Sequence, residues 1–373
     1  MLVGVVTERK QDEYRVAMTP SGVHELVRDG HEVLVEAGAG EGSQFTDQDY
    51  VGAGARIADR DAVWDTADMV MKVKEPLAEE VALLRPGQVL FTYLHLAPVP
   101  DLARALCDTG ATCIAYETVS TEDGRTPLLA PMSEVAGRLA PQVGAGLLER
   151  PRGGRGVLLG GVPGVRPAKV VVLGGGMAGS NAAGIALALG ANTTVVDLSV
   201  DRMRELERTF SGRLNVIMSS RMTIIDLISD ADLVIGAVLV PGAKAPSLVD
   251  REMLRSMRPR SVVVDIAVDQ GGCFETTRPT THSDPTYEVE DVIHYCVANM
   301  PGAVPVTSTH ALTNVTLPFI RRIAASGVER ALLDDPMLAR GANVIGSHVT
   351  NVAVADAIGA DAVPVHEALA LTS

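Results

Sequence analysis

Aromatic side chains are scarce in this sequence: they make up 3% of its 373 residues, and there is a single tryptophan. Apolar residues nevertheless reach 47%, so the core must be built from aliphatic side chains, as in parallel sheets covered by helices. Cysteine is also rare. Cys107, Cys113, Cys273 and Cys296 show no C-x-x-C spacing, which argues against a zinc site or a disulfide framework and predicts reduced core residues of a cytoplasmic protein.

The sequence also lacks an excess of positive charge, and its N-terminal residues do not resemble an export signal. The net charge of −14 argues against nucleic acid and anionic membranes as partners. No basic segment followed by a long apolar run stands at the N-terminus, so no signal peptide is predicted. Residues 170–196 are uncharged and long enough to cross a bilayer, but their six glycines favour a water-soluble domain.

The most informative stretch is residues 170–197, with the sequence VVVLGGGMAGSNAAGIALALGANTTVVD. An apolar run predicts a buried parallel strand, and Gly174, Gly176 and Gly179 follow it in the spacing G-x-G-x-x-G. In dinucleotide-binding folds the first glycine makes the turn, the second admits the pyrophosphate and the third lets the helix pack on the strand. The helix N-terminus then faces the phosphates. The alternative is a glycine-rich turn without a ligand.

The acid that ends this stretch indicates which dinucleotide is bound. Asp197 follows a second β-branched run, about 20 residues beyond the glycines, where a carboxylate binds the ribose hydroxyls of NAD. It would repel the 2′-phosphate of NADP. NAD is therefore favoured as the cofactor. NADP remains the alternative, because Arg202 lies five residues further on and could bind the 2′-phosphate.

Strand-like apolar runs alternate with helical patterns along most of the chain, which predicts an α/β fold with mostly parallel sheets. After Pro305 the pattern becomes helical, and this C-terminal part is expected to pack back on the first domain; residues 340–373 give no clear pattern. The predicted strands are 2–6, 31–35, 69–73, 88–93, 112–116, 170–173, 193–196, 232–239, 261–267 and 293–297. The predicted helices are 20–29, 98–108, 131–150, 199–209, 247–257 (opened by Ser247), 312–325 and 328–338.

Charged or titratable residues follow several of these strands. In parallel sheets, ligands bind beyond the carboxyl ends of the strands, so Arg15, Lys74, His95 and Asp269 are candidate site residues. Each has a simpler alternative. Arg15 could pair with Glu13 or Glu8, Lys74 could be a solvated charge, His95 a core histidine, and Asp269 a cap of the following glycine turn.

Several segments resemble the alanine dehydrogenase / NAD(P) transhydrogenase alpha-subunit family, and their combination is typical of alanine dehydrogenases. They include TERK-x-x-E-Y-R-V-A-M-T-P at 7–20, K-V-K-E-P at 72–76, D-I-A-V-D-Q-G-G-C-F-E at 265–275 and T-S-T-H-A-L-T-N at 307–314. The similarity also covers 94–96, 129–138, 153–165, 231–246 and 295–301 and extends over about residues 1–320.

The resemblance implies two Rossmann-like, doubly wound domains with a cleft between them. The first, catalytic domain would be discontinuous (1–130 plus 305–373), and an NAD-binding domain would span 131–304. It also implies a homohexamer and the reversible NAD-dependent oxidative deamination of L-alanine to pyruvate and ammonium.

Roles for individual residues are likewise implied by the resemblance. His95 and Asp269 would be the acid–base residues, and Arg15 and Lys74 would bind the substrate; no metal site is implied. His310 departs from the family, which usually has tyrosine there, and this leaves the substrate preference open. The residues that would bind the cofactor are Ser133, Gly174, Gly176, Met177, Ala178, Gly179, Asp197, Arg202, Ser219, Val238, Leu239, Ile266, Ala267, Val268, Arg278, Val297, Ala298, Asn299 and Met300.

The chemistry of such a reaction accounts for these residue types. A carboxylate substrate needs cations, supplied as a planar fork by arginine and as a point charge by lysine. Deprotonating the amine, activating water and releasing ammonia call for groups that titrate near neutrality, such as histidine, or an aspartate whose environment raises its pKa. The division of these steps between His95 and Asp269 stays open. Alternatives are a dehydrogenase for serine or for glycine via glyoxylate, the soluble NAD-binding component of a transhydrogenase, or an inactive NAD-binding protein.

Overall fold

The computed structural model describes residues 1–238 and 246–372. They form two compact units. Unit 1 comprises Met1–Met132 together with the chain from Val304 onward, and unit 2 comprises Ser133–Ala303.

The strands are numbered in chain order. They are β1 (Leu2–Val5), β2 (Glu32–Glu36), β3 (Arg56–Ala58), β4 (Met69–Met71), β5 (Val89–Thr92), β6 (Thr112–Ala115), β7 (Lys169–Leu173), β8 (Asn192–Asp197), β9 (Asn215–Met218), β10 (Leu233–Gly236), β11 (Val262–Asp265), β12 (Thr286–Val289), β13 (Val292–Tyr295), β14 (Ala342–Ile345) and β15 (His348–Val349).

The α-helices follow the same order. They are α1 (Pro20–Arg28), α2 (Asp47–Gly52), α3 (Arg60–Thr66), α4 (Ala78–Val81), α5 (Pro100–Asp108), α6 (Ala130–Leu147), α7 (Met177–Ala188), α8 (Val200–Thr209), α9 (Arg221–Ser229), α10 (Arg251–Arg255), α11 (Pro305–Ser326), α12 (Val328–Asp334), α13 (Pro336–Gly341), α14 (Val352–Ile358) and α15 (Val365–Thr372).

The sheet of unit 1 has the order β15-β14-β6-β5-β4-β1-β2-β3. Its strands from β6 to β3 are parallel, while β14 and β15 run antiparallel at one edge. From β1 the chain passes to β2 on one side and later to β4 on the other. The order therefore reverses between β1 and β4, and doubly wound sheets bind ligands beyond the strand ends at such a point.

The sheet of unit 2 has the order β12-β13-β11-β10-β7-β8-β9, and among its described strands only β12 is antiparallel to its neighbour. Strands β10 and β11 are buried along their whole length, as is usual for strands with helices on both faces. Here the order reverses between β7 and β10, so the glycine turn after β7 lies at the reversal point. The predicted fold class, two parallel-dominant α/β domains, is confirmed.

The starts of two helices, α10 and α11, were predicted wrongly. Helix α11 begins at Pro305 and not at residue 312. Helix α10 begins after Asp250, whose side chain accepts a hydrogen bond from the Met253 N–H at 2.8 Å; Ser247 lies outside the helix. Serine and aspartate both cap helices well, so the residue type alone does not distinguish Ser247 from Asp250 as the start of this helix.

Two further findings bear on the expectations from composition. All four cysteines lie in the described ranges as free thiols, and three of them are buried. Among the helices of residues 1–238 and 246–372, none is long and apolar enough to span a bilayer.

Candidate functional site

The glycine turn of unit 2 has the geometry that its sequence predicts. Gly174 has φ = +93°, a conformation that side chains with a Cβ avoid. A Cβ on Gly179 would lie 1.8 Å from the Gly174 carbonyl oxygen, whereas a Cβ on Gly176 would have no heavy atom within 4 Å. Gly179 is therefore needed for the packing of α7, and Gly176 leaves open space at the N-terminus of that helix.

Asp197 lies half-buried at the carboxyl end of β8 and holds the turn. One carboxylate oxygen, Oδ2, accepts the Gly175 N–H at 2.7 Å, and Oδ1 accepts the Ser199 N–H at 2.8 Å. Because each carboxylate oxygen can accept about two hydrogen bonds, ribose hydroxyls can still be accommodated. Ser219 follows β9, and its N–H donates to the Asp197 carbonyl at 2.8 Å.

Arg202 is engaged with the turn itself. Its guanidinium donates to the carbonyl oxygens of Gly175 and Gly176 and pairs with Glu205. The guanidinium of Arg202, which was the reason to retain NADP as an alternative cofactor, is thus bound by backbone carbonyls and by a carboxylate one helical turn away.

The strand ends of β10 and β11 carry the next predicted residues. Val238 lies against Gly174, since a Cβ on that glycine would be 2.9 Å from the valine side chain. The chain after β11 runs through Ile266 and Ala267 into a short 3₁₀ segment, Val268–Gln270, which carries Asp269 as an exposed residue. Leu239, also predicted to contact the cofactor, lies outside the described residues.

Asp265, at the end of β11, holds the segment that carries Asp269. Its carboxylate accepts the N–H groups of Ala267 (3.0 Å) and Cys273 (2.8 Å) and the Thr277 hydroxyl (2.6 Å). Burial raises the pKa of Asp265, and these hydrogen bonds only partly offset it. Asp265 was not among the residues predicted from the sequence.

The segment after β13 is fixed by neighbouring loops. Ala298 N–H donates to the Thr280 carbonyl at 3.2 Å, and the Asn299 carbonyl lies 2.7 Å from the His282 Nε2 atom. Met300 is buried at the start of a 3₁₀ segment, Met300–Ala303. Val297 is buried in an isolated bridge with Thr280.

Two other predicted cofactor contacts lie in unit 2. Arg278 is exposed, and its guanidinium stacks over the Tyr287 ring at 4.1 Å, which fixes the plane of the fork. Ser133 is half-buried on α6, a helix that packs closely on the first turn of α7. A Cβ on Gly137 of α6 would lie 2.2 Å from the Ala178 carbonyl oxygen.

In unit 1, Arg15 lies buried in the loop that follows β1. Its Nε and Nη2 atoms donate to the two carboxylate oxygens of Glu13 at 2.7 and 2.6 Å, and Nη1 lies 3.1 Å from the Met132 sulfur. Although burial disfavours the charged guanidinium, Glu13 raises the pKa of Arg15. The pairing with Glu13 that the sequence left open therefore forms, and it fixes the orientation of the guanidinium.

Lys74 follows β4 on a backbone held by a buried ion triad. Lys72 Nζ lies 2.9 Å from Glu80 and 3.3 Å from Glu8. Although burial disfavours its ammonium, the two carboxylates raise the pKa of Lys72. Glu8 also accepts the N–H groups of Val73 (2.6 Å) and Lys74 (3.3 Å), so the triad fixes the course of the chain where Lys74 leaves the sheet.

His95 is half-buried three residues beyond β5, and its backbone is left-handed, with φ = +49°. Its ring stacks on that of Tyr93, with centroids 5.9 Å apart and an interplanar angle of 7°. The Thr92 hydroxyl of β5 donates to the Lys74 carbonyl at 2.8 Å. Since β1, β4 and β5 are adjacent and parallel, unit 1 presents Arg15, Lys74 and His95 at one edge of its sheet.

No metal site is indicated among residues 1–238 and 246–372, where no group of three or more histidine, cysteine or acidic side chains is arranged to hold an ion. The candidate functional groups of unit 1 are two cations and an imidazole. Those of unit 2 are the glycine turn and the exposed carboxylate of Asp269.

Family models match both parts of this chain. Residues 4–136 match the N-terminal domain of the alanine dehydrogenase/PNT family, and residues 140–352 match its C-terminal domain. The chain belongs to the alanine dehydrogenase/PNT family. The resemblance carried by the sequence motifs is thereby confirmed.

Relatives within the family are similar over nearly the whole chain. The alanine dehydrogenase of Halomonas elongata is 56% identical over 96% of this chain and 97% of its own, and that of Bacillus subtilis is 56% identical over 99% and 98%. A solved L-alanine dehydrogenase structure superposes with a TM-score of 0.94 at 50% identity, covering 96% of this chain and 99% of its own. A transhydrogenase from Sinorhizobium meliloti gives a TM-score of 0.81 at 28% identity, covering 94% and 99%.

His310, which the sequence motif predicts to differ from the family, is exposed on α11. Its ring packs edge-on against Phe45 with centroids 5.4 Å apart. The preceding residue, Thr309, is buried, and its hydroxyl accepts the Val16 N–H at 3.1 Å. An effect of His310 on substrate preference stays a prediction.

Glu117 is a further residue at the strand ends of unit 1, and it was not among the predicted site residues. It follows β6, and its carboxylate accepts the N–H groups of Leu94 and His95. A usable signal was present, because Glu117 comes directly after the apolar run 112–116 and therefore satisfies the same strand-end rule that selected His95.

Proposed function

We propose that this chain is an L-alanine dehydrogenase that catalyses the reversible, NAD-dependent oxidative deamination of L-alanine to pyruvate and ammonium. The observation that carries the proposal is the group of Arg15, Lys74 and His95 beyond adjacent parallel strands of one unit, in a chain more than half identical to alanine dehydrogenases. A small zwitterionic substrate needs such cations together with a group that exchanges protons.

NAD fits unit 2 on the geometry of the glycine turn. Gly176 leaves room for a pyrophosphate at the N-terminus of α7, where backbone N–H groups and the helix dipole favour negative charge. Asp197 is proposed to accept the ribose hydroxyls, and the engagement of Arg202 with carbonyls of the turn and with Glu205 supports NAD over NADP. When bound, NAD supplies the acceptor for the hydride that leaves the substrate Cα.

The other cofactor contacts are assigned by the family resemblance, and Val238, Ile266 and Val297 also follow strands of unit 2. Val238, Ile266, Val297 and Met300 are proposed to line the nicotinamide side. The remaining proposed contacts are Ser133, Met177, Ala178, Ser219, Leu239, Ala267, Val268, Arg278, Ala298 and Asn299.

Arg15 and Lys74 are proposed to bind the substrate carboxylate and carbonyl region. The bidentate contact with Glu13 pre-orients the Arg15 guanidinium, so that little conformational entropy is lost when an anion binds. The Glu8–Lys72–Glu80 triad does the same for the backbone of Lys74.

His95 and Asp269 are proposed to carry the proton transfers. The substrate ammonium must lose a proton before the amine lone pair can form the imine as hydride departs. Water must then be deprotonated to attack the imine, and the carbinolamine nitrogen must be protonated to leave as ammonia. One imidazole and one carboxylate are sufficient for these exchanges.

The same resemblance supports two further proposals, assembly as a homohexamer and a cytoplasmic location. From the same resemblance we also propose a catalytic domain of residues 1–130 plus 305–373 and an NAD-binding domain of residues 131–304. Sedimentation of the purified protein tests the assembly.

Steady-state turnover tests the function. We expect NADH formation with L-alanine and NADH consumption with pyruvate plus ammonium, both followed by the absorbance of NADH. A panel with L-serine, glycine, glyoxylate and other small 2-oxo acids tests the amino-acid preference. Binding of NAD without turnover of any amino acid would contradict an enzymatic role, and turnover confined to serine or glycine would contradict the alanine assignment.

The role of Asp197 can be tested separately. Asp197→Ala is expected to lower kcat/KM for NAD by about tenfold or more and to narrow the preference over NADP, because a charge-assisted hydrogen bond is lost and repulsion of the 2′-phosphate ends. The measurement is kcat/KM with each cofactor at saturating alanine. Asp201→Ala, which removes an exposed carboxylate on α8, is the matched control. An unchanged NAD/NADP ratio in Asp197→Ala would contradict the ribose role.

A further inference from the structure

His95 adopts a backbone conformation that it does not prefer. Its φ of +49° lies in the left-handed region, a strained conformation for a residue with a Cβ that persists only where the surroundings enforce it. Because the direction of the imidazole depends on this φ, whatever enforces the conformation also aims the ring.

The enforcing contact comes from Glu117, which lies in a short 3₁₀ segment just after β6, the strand next to β5. Its Oε1 atom accepts the His95 N–H at 2.6 Å and the Leu94 N–H at 3.2 Å, and Oε2 lies 3.2 Å from the same Leu94 nitrogen. Glu117 is thus bound to the backbone at the point where the chain turns. Hydrogen bonds from backbone N–H groups to a charged carboxylate are stronger than those between neutral groups.

Glu117 is itself held in place by its neighbours. The preceding Tyr116 ring packs edge-on against Tyr93 with centroids 5.0 Å apart, and the following Thr118 hydroxyl donates to Asn343 Oδ1 at 2.9 Å. The carboxylate therefore projects from a segment anchored on both sides and can impose a conformation on its partner.

The face of the imidazole is supported independently. The Tyr93 ring lies parallel to it, and the Tyr93 hydroxyl donates to the Leu128 carbonyl at 2.6 Å. Burial raises the pKa of Tyr93, so the phenol stays protonated and keeps this hydrogen bond. Glu117 holds the backbone of His95 while Tyr93 holds one face of its ring.

We propose that Glu117 is a positioning residue for the acid–base step: it keeps His95 in the left-handed conformation that directs its ring to the substrate. This inference rests on the proposed function of His95. Glu117 acts through the backbone, so its removal should affect turnover and leave cofactor binding largely intact.

Three substitutions separate geometry from charge. Glu117→Ala removes the acceptor, and kcat is expected to fall by about 10–100-fold, because small displacements of a catalytic group cost up to about 10²-fold. Glu117→Gln keeps the length and one carbonyl oxygen, which is sufficient since Oε1 alone accepts both N–H groups, and should retain most of kcat. Glu117→Asp keeps the charge but withdraws it from the backbone and should resemble alanine.

Each variant is measured for kcat, for KM of NAD and for melting temperature. Glu122→Ala removes an exposed carboxylate from the neighbouring loop and is the control. The proposal expects kcat in the order wild type, Gln, then Asp and Ala, with KM for NAD within about threefold of wild type throughout. An Asp variant more active than Gln, or losses of kcat and NAD affinity in equal measure, would overturn it.

A double-mutant cycle with His95→Ala completes the test. Once the imidazole is gone, Glu117→Gln and Glu117→Asp should no longer differ in residual turnover, because the aimed group is absent. A difference in that background as large as in the wild type would contradict positioning through His95. Failure of the proposed function itself is distinguishable, since the wild-type enzyme would then turn over no amino acid.

Discussion

His95→Ala is expected to lower kcat for alanine oxidation by about 10²–10⁴-fold, the range that a positioned general acid–base group contributes. KM for NAD should stay within about threefold, because His95 belongs to unit 1 and the glycine turn to unit 2. The loss should appear in both directions of the reaction, since the same proton is returned in reverse. Initial rates over a range of alanine and NAD concentrations separate the two constants.

The matched control is His24→Ala, which removes an exposed histidine from α1 of the same unit and should leave kcat unchanged. If His95→Ala retains wild-type kcat, the histidine is structural and its strained backbone needs another explanation. If instead NAD affinity collapses while kcat at saturation is preserved, the residue has been assigned to the wrong step.

Asp269→Asn is expected to be comparably severe, with kcat lowered by about 10²–10⁴-fold. The substitution preserves shape and hydrogen-bonding length but removes the basic carboxylate. The 3₁₀ segment that carries it should survive, because Asp265 and not Asp269 holds the N–H groups of Ala267 and Cys273. A loss of kcat at an unchanged melting temperature therefore reports on chemistry and not on folding of the segment.

Asp284→Asn, on an exposed loop of the same unit, is the control for Asp269→Asn. The variant pair is compared by kcat, by NAD binding measured with protein fluorescence and by melting temperature. Near-normal turnover in Asp269→Asn would leave His95 as the sole proton-transfer residue of the proposal. A large loss of NAD binding would instead make Asp269 a cofactor ligand.

The placement of the unit 1 residues could be predicted because it follows from strand order and not from side-chain detail. Arg15, Lys74 and His95 each come after an apolar run, and parallel strands bring their carboxyl ends to one edge. The glycine turn could also be predicted from the sequence, because its spacing encodes a local geometry. Gly174 needs a positive φ, and Gly179 allows a close helix contact.

The side chains that hold these residues could not be predicted in the same way. Glu117 reaches His95 across 22 residues of chain, and Glu8 reaches Val73 across 65. No local pattern encodes such pairs, because they depend on which strands become neighbours. The residues of the Glu13–Arg15 pair are only two positions apart, and the sequence suggested this contact, with Glu8 as the other candidate partner of Arg15.

Short elements were missed for a related reason. Strand β15 has two residues and β3 has three, too few to establish a period of alternation. They are strands because a longer neighbour offers its backbone N–H and C=O groups. Strand β15, for example, pairs with β14, and β3 pairs with β2.

The division of unit 1 into two chain segments has a consequence for biosynthesis. Its main core joins Val16 and Met18 to Leu312, Ile320 and Leu338, so the core is not complete until the ribosome has passed the whole of unit 2. Unit 2 is continuous and is the first unit whose core can close during translation. Domains fold as units during synthesis, and the first 132 residues must therefore remain unfinished, with apolar surface open to chaperones, while the nucleotide-binding unit emerges.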